Sequence, residues 1–181
     1  MRPRILRMLS LVFAIATLHA ATPTTYLPAK SAASLESRLL GTWRLVSIGS
    51  IRPDGTLEPD PDLGPHAIGY LMYDPTGHMC VSLANPNHAR WADPQNPTSA
   101  ERLQSYVAMF AYCGTYEVQE KESRVIHRPE MASWPHYIGS DQIRNIRMEG
   151  NRLILSERET VPNGEPRDYQ ITWERVTKRN R

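Results

Sequence analysis

From residue 39 onward the apolar positions recur in short alternating runs rather than at helical spacing. The runs are WRLVSIGS (43–50), AIGYLMYD (67–74), HMCVSLA (78–84), YCGTYEV (112–118), RVIHR (124–128), SDQIRNIRM (140–148), RLILSE (152–157) and RDYQITWERV (167–176). Between them stand Pro53-Asp54-Gly55, Asp74-Pro75-Thr76-Gly77, Glu149-Gly150-Asn151 and Pro162-Asn163-Gly164. Glycine and asparagine accept the backbone angles of tight turns, and proline presets one of them. Eight short strands joined largely by such turns predict an all-β, antiparallel barrel or sandwich. One segment breaks the period of two. Thr98-Ser99-Ala100-Glu101 fits a capping box, and Leu103, Tyr106, Val107 and Phe110 follow at helical spacing. These residues predict one short amphipathic helix over about residues 99–110, lying across the sheet or one barrel opening. The loop before it, ANPNHARWADPQNP, is too rich in Asn and Pro for regular structure.

Alternation also assigns faces. In the last run Tyr169, Ile171, Trp173 and Arg175 share the inward side, in the first Trp43, Leu45 and Ser47 do, and in RLILSE Leu153 and Leu155 do. The stretch SDQIRNIRM has no clean apolar face. If Arg147 and Glu149 meet water, then Gln142, Arg144, Ile146 and Met148 point inward, and in RVIHR the inward residues are Val125 and His127. An isolated charge in an apolar interior costs several kcal/mol or more, so an inward Arg144 must be paired or hydrogen-bonded. Cys80 and Cys113 fall on the outward side of consecutive strands. They are placed for one disulfide if the register opposes them; otherwise they are two separate thiols.

The N-terminus, MRPRILRMLSLVFAIATLHAAT, carries three arginines, then an apolar run, then small residues at Ala20 and Ala21. This is the pattern of a secretory signal peptide over residues 1–20. Residues 21–38 read as a linker and 39–181 as the folded domain. The expected location is secreted or periplasmic. Neither a spanning stretch nor a cysteine beside the cleavage site indicates a stable membrane anchor. With 181 residues, 40% hydrophobic and 22% charged, the chain is an ordinary globular length for one domain. Its 21 basic and 19 acidic residues become nearly balanced once the leader's arginines are set aside, which leaves no basic field for nucleic acid. The histidines show no zinc-ligand spacing, and there is no serine nucleophile elbow or phosphate loop, so neither metal nor cofactor is expected.

Gly41-Thr42-Trp43 at the head of the first strand resembles the Gly-x-Trp signature of lipocalins, and Arg175 resembles the arginine that packs over that tryptophan. The ordered set GTWRLVS, GYLMYDPTGHM, FAYCGTYEV, VIH, GSDQIR and ITWERV is similar to the lipocalin-like domain proteins, over roughly residues 39–176. The resemblance implies an eight-stranded antiparallel barrel with a cup for a small, largely apolar molecule. That family is functionally heterogeneous and supplies no reaction. Within such a cup the candidate ligand contacts are Arg144, Gln142 and His127, with the aromatic residues Tyr116, Tyr70 and Trp134. Three functions are then open. The cup binds a small hydrophobic molecule bearing a polar oxygen. Alternatively, an isomerase or cyclase acts there on a polyketide- or terpene-type metabolite, with Arg144 and Gln142 polarising a carbonyl. A cavity-free envelope or interaction protein is the third.

Overall fold

The computed structural model describes residues 33–160 and 166–177. The expected signal peptide, most of the expected linker and the Pro162–Gly164 turn lie outside them. Two helices and nine strands follow in the order α1 (Leu35–Leu39), β1 (Gly41–Ile51), β2 (Leu57–Pro59), β3 (Ile68–Tyr73), β4 (His78–Ala84), α2 (Ser99–Val107), β5 (Met109–Gln119), β6 (Arg124–Ala132), β7 (Gln142–Glu149), β8 (Arg152–Thr160) and β9 (Pro166–Arg175). From β3 to β9 each strand pairs antiparallel with the next, β1 pairs with β3, and β1 also pairs with β9. That last pairing closes an eight-stranded barrel. The short β2 is an annex folded back on the far end of β1, from Gly49 opposite Pro59 to Ile51 opposite Leu57.

Inward residues are those expected from alternation, with one correction in β1. Its register with β9 shifts between Leu45 and Ser47, so Val46 is the extra residue of a bulge. The bulge reverses the parity beyond it, and Ile48 rather than Ser47 enters the core. The core runs from Trp43 and Leu71 through Val81, Leu153 and Trp173 to Leu83 and Ile48.

One end of the barrel is plugged. Trp43 donates from Nε1 to the Leu39 carbonyl at 2.8 Å, and the Arg175 guanidinium lies 4.0 Å from the centre of its ring. Arg175 donates from Nη1 to the Leu40 carbonyl at 2.7 Å and from Nη2 to that of Arg38. Residues 35–38, expected as linker, instead form α1. Ser34 caps it, and Leu39 is fully buried at its end.

The capping box of α2 is present, with Thr98 Oγ1 accepting from the Glu101 N–H and Glu101 accepting from Thr98. Two expectations about this helix need correction. It stops at Val107, so Phe110 belongs to β5, and it buries none of its residues. Leu103 is 63% exposed. The helix is held by its cap and by hydrogen bonds such as Trp91 Nε1 to Ser105 Oγ at 2.8 Å. On the outside of the wall Cys80 stands opposite Cys113 in the β4–β5 ladder, and the two are joined by a disulfide.

Candidate functional site

Away from the plug, the loops before β3, after α2 and after β6 surround an opening. Asp60 fixes the first of these, accepting from the backbone N–H groups of Asp62 and Leu63 and, at 2.6 Å, from the Tyr169 hydroxyl. Leu63 is thereby buried against the barrel. The loop after β6 turns through a 3₁₀ segment at Pro135–Tyr137, which brings Trp134 and Tyr137 over Phe110, with ring centres 4.7 and 5.1 Å away. Beneath these rings lies a cavity of about 150 Å³, lined by Ile48, Asp60, Asp62, Leu63, Leu83, Val107, Phe110, Trp134, Tyr137, Arg144, Glu157, Tyr169 and Ile171. A second chamber of about 30 Å³ lies among Leu71, Val81, Leu83, Phe110, Tyr112, His127, Arg144, Leu155, Ile171 and Trp173. Leu83, Phe110, Arg144 and Ile171 border both.

Arg144 is 5% exposed. Its Nη1 donates to Glu157 Oε2 at 2.6 Å and to the Ile143 carbonyl at 3.0 Å, and Nη2 donates to Gln142 Oε1 at 3.3 Å. Glu157 supplies the counter-charge that burial demands. Alternation in RLILSE names only Leu153 and Leu155 as inward, and the pairing of Glu157 with Arg144 across β7 and β8 needs a register. Gln142 faces inward, opposite His127, and donates to Ser140 Oγ at 2.7 Å.

His127 is 1% exposed. Tyr73 Oη is 2.7 Å from its Nε2, and Tyr112 Oη is 2.7 Å from its Nδ1. Burial, with the nearby Arg144 charge adding to it, pushes the imidazole down to about 3, so the ring is neutral at ordinary pH. Burial raises both tyrosines, since a phenolate would be desolvated there. Gly114 sits between Tyr112 and Tyr116 on the inward side of β5. A side chain there would collide with the neighbouring strand, because a Cβ would lie 2.0 Å from the Arg128 carbonyl oxygen.

Of the residues singled out from the sequence, Arg144, Gln142 and His127 come together inside the barrel, and Trp134 stands at the mouth. Tyr116 is inside but low in the barrel. Its hydroxyl donates to the Asp74 carbonyl at 3.1 Å, its ring packs on Tyr73 at 4.9 Å, and it borders neither cavity. Tyr70 does not reach the cup. In β3 the inward residues are Gly69, Leu71 and Tyr73, so Tyr70 points out and is 52% exposed. Both faces of IGYLMY are apolar, which is why alternation alone did not orient it. Among the described residues no three or more His, Cys, Asp or Glu side chains cluster as a metal site.

A closed eight-stranded antiparallel barrel is the lipocalin fold. The family model of the lipocalin-like domain matches residues 40–176, and the chain belongs to that family. No curated protein matches the chain. Among solved structures, bovine odorant-binding protein in complex with a selenium-containing odorant is similar, with TM-score 0.41 and 13% identity over 85% of this chain and 80% of that one. Odorant-binding protein from bovine nasal mucosa gives 0.41 and 13% over 84% and 80%. Likeness of that degree carries no argument about ligands.

Proposed function

We propose that the barrel binds a small, largely apolar molecule and directs a polar oxygen of that molecule toward Arg144. The observation that carries this reading is the position of Arg144, buried yet bordering both the mouth cavity and the inner chamber. Both hydrogens of its Nη1 and one of Nη2 are used. Its Nε–H and the second Nη2 hydrogen have no acceptor among the described residues. Ligand cups pair apolar walls with a few convergent polar groups, and here the walls are Ile48, Leu83, Phe110, Trp134 and Ile171. The volume suits one ring or a short chain rather than a drug-sized molecule, for which pockets of roughly 300 Å³ or more are usual. Lipocalin-like family membership supports the same use of the barrel.

Proton-transfer chemistry in the cup has less support. A base works best with a pKa near the working pH. His127 has both ring nitrogens engaged and a strongly depressed affinity for protons. The expected polar-oxygen binder therefore stands ahead of the isomerase or cyclase.

Titration of the purified protein with single-ring and short-chain ketones, ethers and alcohols, followed by NMR of cavity residues, tests the proposal. Affinities of roughly 10 µM to 1 mM are expected for molecules of this size. The double variant Arg144→Met/Glu157→Gln removes both charges and should keep its melting temperature, since a buried ion pair contributes little net stability. Its affinity for the best ketone should fall about tenfold or more. If no member of the panel perturbs the cavity resonances, the proposal fails.

A further inference from the structure

The inner chamber is bordered by a buried hydrogen-bond donor that no described residue satisfies. Trp173 is 1% exposed, borders this chamber, and its Nε1–H has no acceptor among the described residues. An orphaned buried donor costs about 1 to 3 kcal/mol, which makes it a feature that asks for a reason. A second donor follows from counting protons around His127. A neutral imidazole has one N–H and one lone pair, yet a tyrosine hydroxyl stands at hydrogen-bond distance from each nitrogen. One tyrosine must donate to the ring, and the other must accept from it and keep its own proton for another partner.

Packing decides which. Tyr73 is buried against Tyr116 toward the plug and borders neither cavity. A spare proton there would have nowhere to go. Tyr112 borders the inner chamber. The lower-cost arrangement has Tyr73 donating to Nε2 and Nδ1–H donating to Tyr112, which frees the Tyr112 hydroxyl proton to point into the chamber. Arg144 adds further N–H groups on the same wall. Glu157 already balances the arginine's charge, so what this set lacks is an acceptor and not an anion.

We propose that the inner chamber is a recess for one neutral acceptor oxygen, a ketone or aldehyde carbonyl. Tyr112 Oη and Trp173 Nε1 are its donors beside Arg144, and the apolar remainder of the molecule fills the mouth cavity. The inference rests on the binding function proposed above and names the chemical class that site prefers. At about 30 Å³ the chamber has room for an oxygen and the carbon bearing it, and no ring.

The test uses a matched pair of probes. Acetophenone carries a carbonyl where α-methylstyrene has a methylene of the same shape. In NMR of the indole N–H groups, the Trp173 resonance is identified by its loss in Trp173→Phe. It should move downfield with acetophenone and stay in place with α-methylstyrene. By calorimetry, Trp173→Phe and Tyr112→Phe should each weaken acetophenone binding by roughly five- to tenfold and leave α-methylstyrene within about twofold. The Trp173 resonance can also be assigned by through-bond and through-space connectivity in the unsubstituted protein, so the NMR arm survives any loss of folding in the variants. If both probes bind and the variants weaken them equally, or the indole resonance does not distinguish them, the recess is overturned while cup binding stands. A persistent water contact to the Trp173 N–H at saturating acetophenone also overturns the recess, since water and not ligand then satisfies the donor. If neither probe binds, the recess is overturned, and the cup stands or falls with the wider panel of ketones, ethers and alcohols.

Discussion

Arg175 and Arg144 are both inward arginines set among aromatic rings, one at each end of the same barrel. At the plugged end Arg175 lies over Trp43 and gives its terminal nitrogens to backbone carbonyls, and Trp43 gives its own N–H to another. Those acceptors are fixed parts of α1 and the turn after it. Toward the mouth, Arg144 meets a side-chain carboxylate and a side-chain amide, and near it the Trp173 Nε1–H has no acceptor among the described residues. The same residue types close a structure in one place and leave it incomplete in the other. Satisfied polar groups rigidify a fold, whereas unsatisfied ones store an affinity for whatever brings the missing atom.

Damage at the two ends should therefore read out in different measurements. The largest effect is expected for Trp43→Ala, about 3 to 5 kcal/mol of stability, with Arg175→Ala at roughly 2. Chemical denaturation measures both losses, and acetophenone affinity per folded molecule should not move. Parallel loss of affinity would erase the distinction between the ends.

Acid should act in the middle of the barrel. His127 has its folded pKa pushed down to about 3 from 6.5, so between those values the unfolded chain binds a proton that the folded one refuses. Its contribution is fully present above about pH 6.5 and is lost as pH falls toward 3, at about 1.4 kcal/mol per pH unit. From pH 6.5 to 4 the loss amounts to roughly 3 kcal/mol. Denaturation midpoints across this range should show that slope, and His127→Gln should flatten it by about one proton. An unchanged slope in the variant would place the acid sensitivity elsewhere.

The smallest effect belongs to α2. Removing its cap with Thr98→Ala costs a helix about 1 kcal/mol, but this helix buries none of its residues. Hydrogen exchange should quicken over residues 99–107 while the global melting temperature stays within about a degree or two. A large drop in melting temperature would show that the barrel leans on the helix after all.

Much of the barrel was legible because alternation is a local property. The two-sided stretch SDQIRNIRM was oriented by the charges of Arg147 and Glu149, and Arg144 and His127 were placed inside by parity alone. Opposite parity likewise put Cys80 and Cys113 on one outer surface. The failures are just as specific. A bulge at Val46 leaves no mark in composition yet inverts every position after it, so Ile48 was missed. Phe110 fits the end of a helix and the start of a strand equally well, and only the β4–β5 ladder, where it stands opposite Leu83, decides. Tyr70 sits in a strand with two apolar faces. Glu157 was not singled out from sequence, and its meeting with Arg144 depends on which rungs face each other. The orphaned donor of Trp173 is further still from the sequence, because an unmet hydrogen bond is a property of a surrounding.

The bond between Cys80 and Cys113 spans 33 positions of sequence, and the chain between them leaves the ladder at Ala84 and returns opposite it at Met109. Together these make a covalent ring. A cut anywhere in the excursion would divide the polypeptide without dividing the molecule, and the two wall strands would keep their register. The excursion is thus released from the task of holding the barrel together. It also carries Val107 to the rim of the cavity. Substitutions, insertions or deletions between residues 85 and 107 can therefore accumulate without reaching the core, and the molecule has a place where its taste in ligands can drift while its architecture stands still.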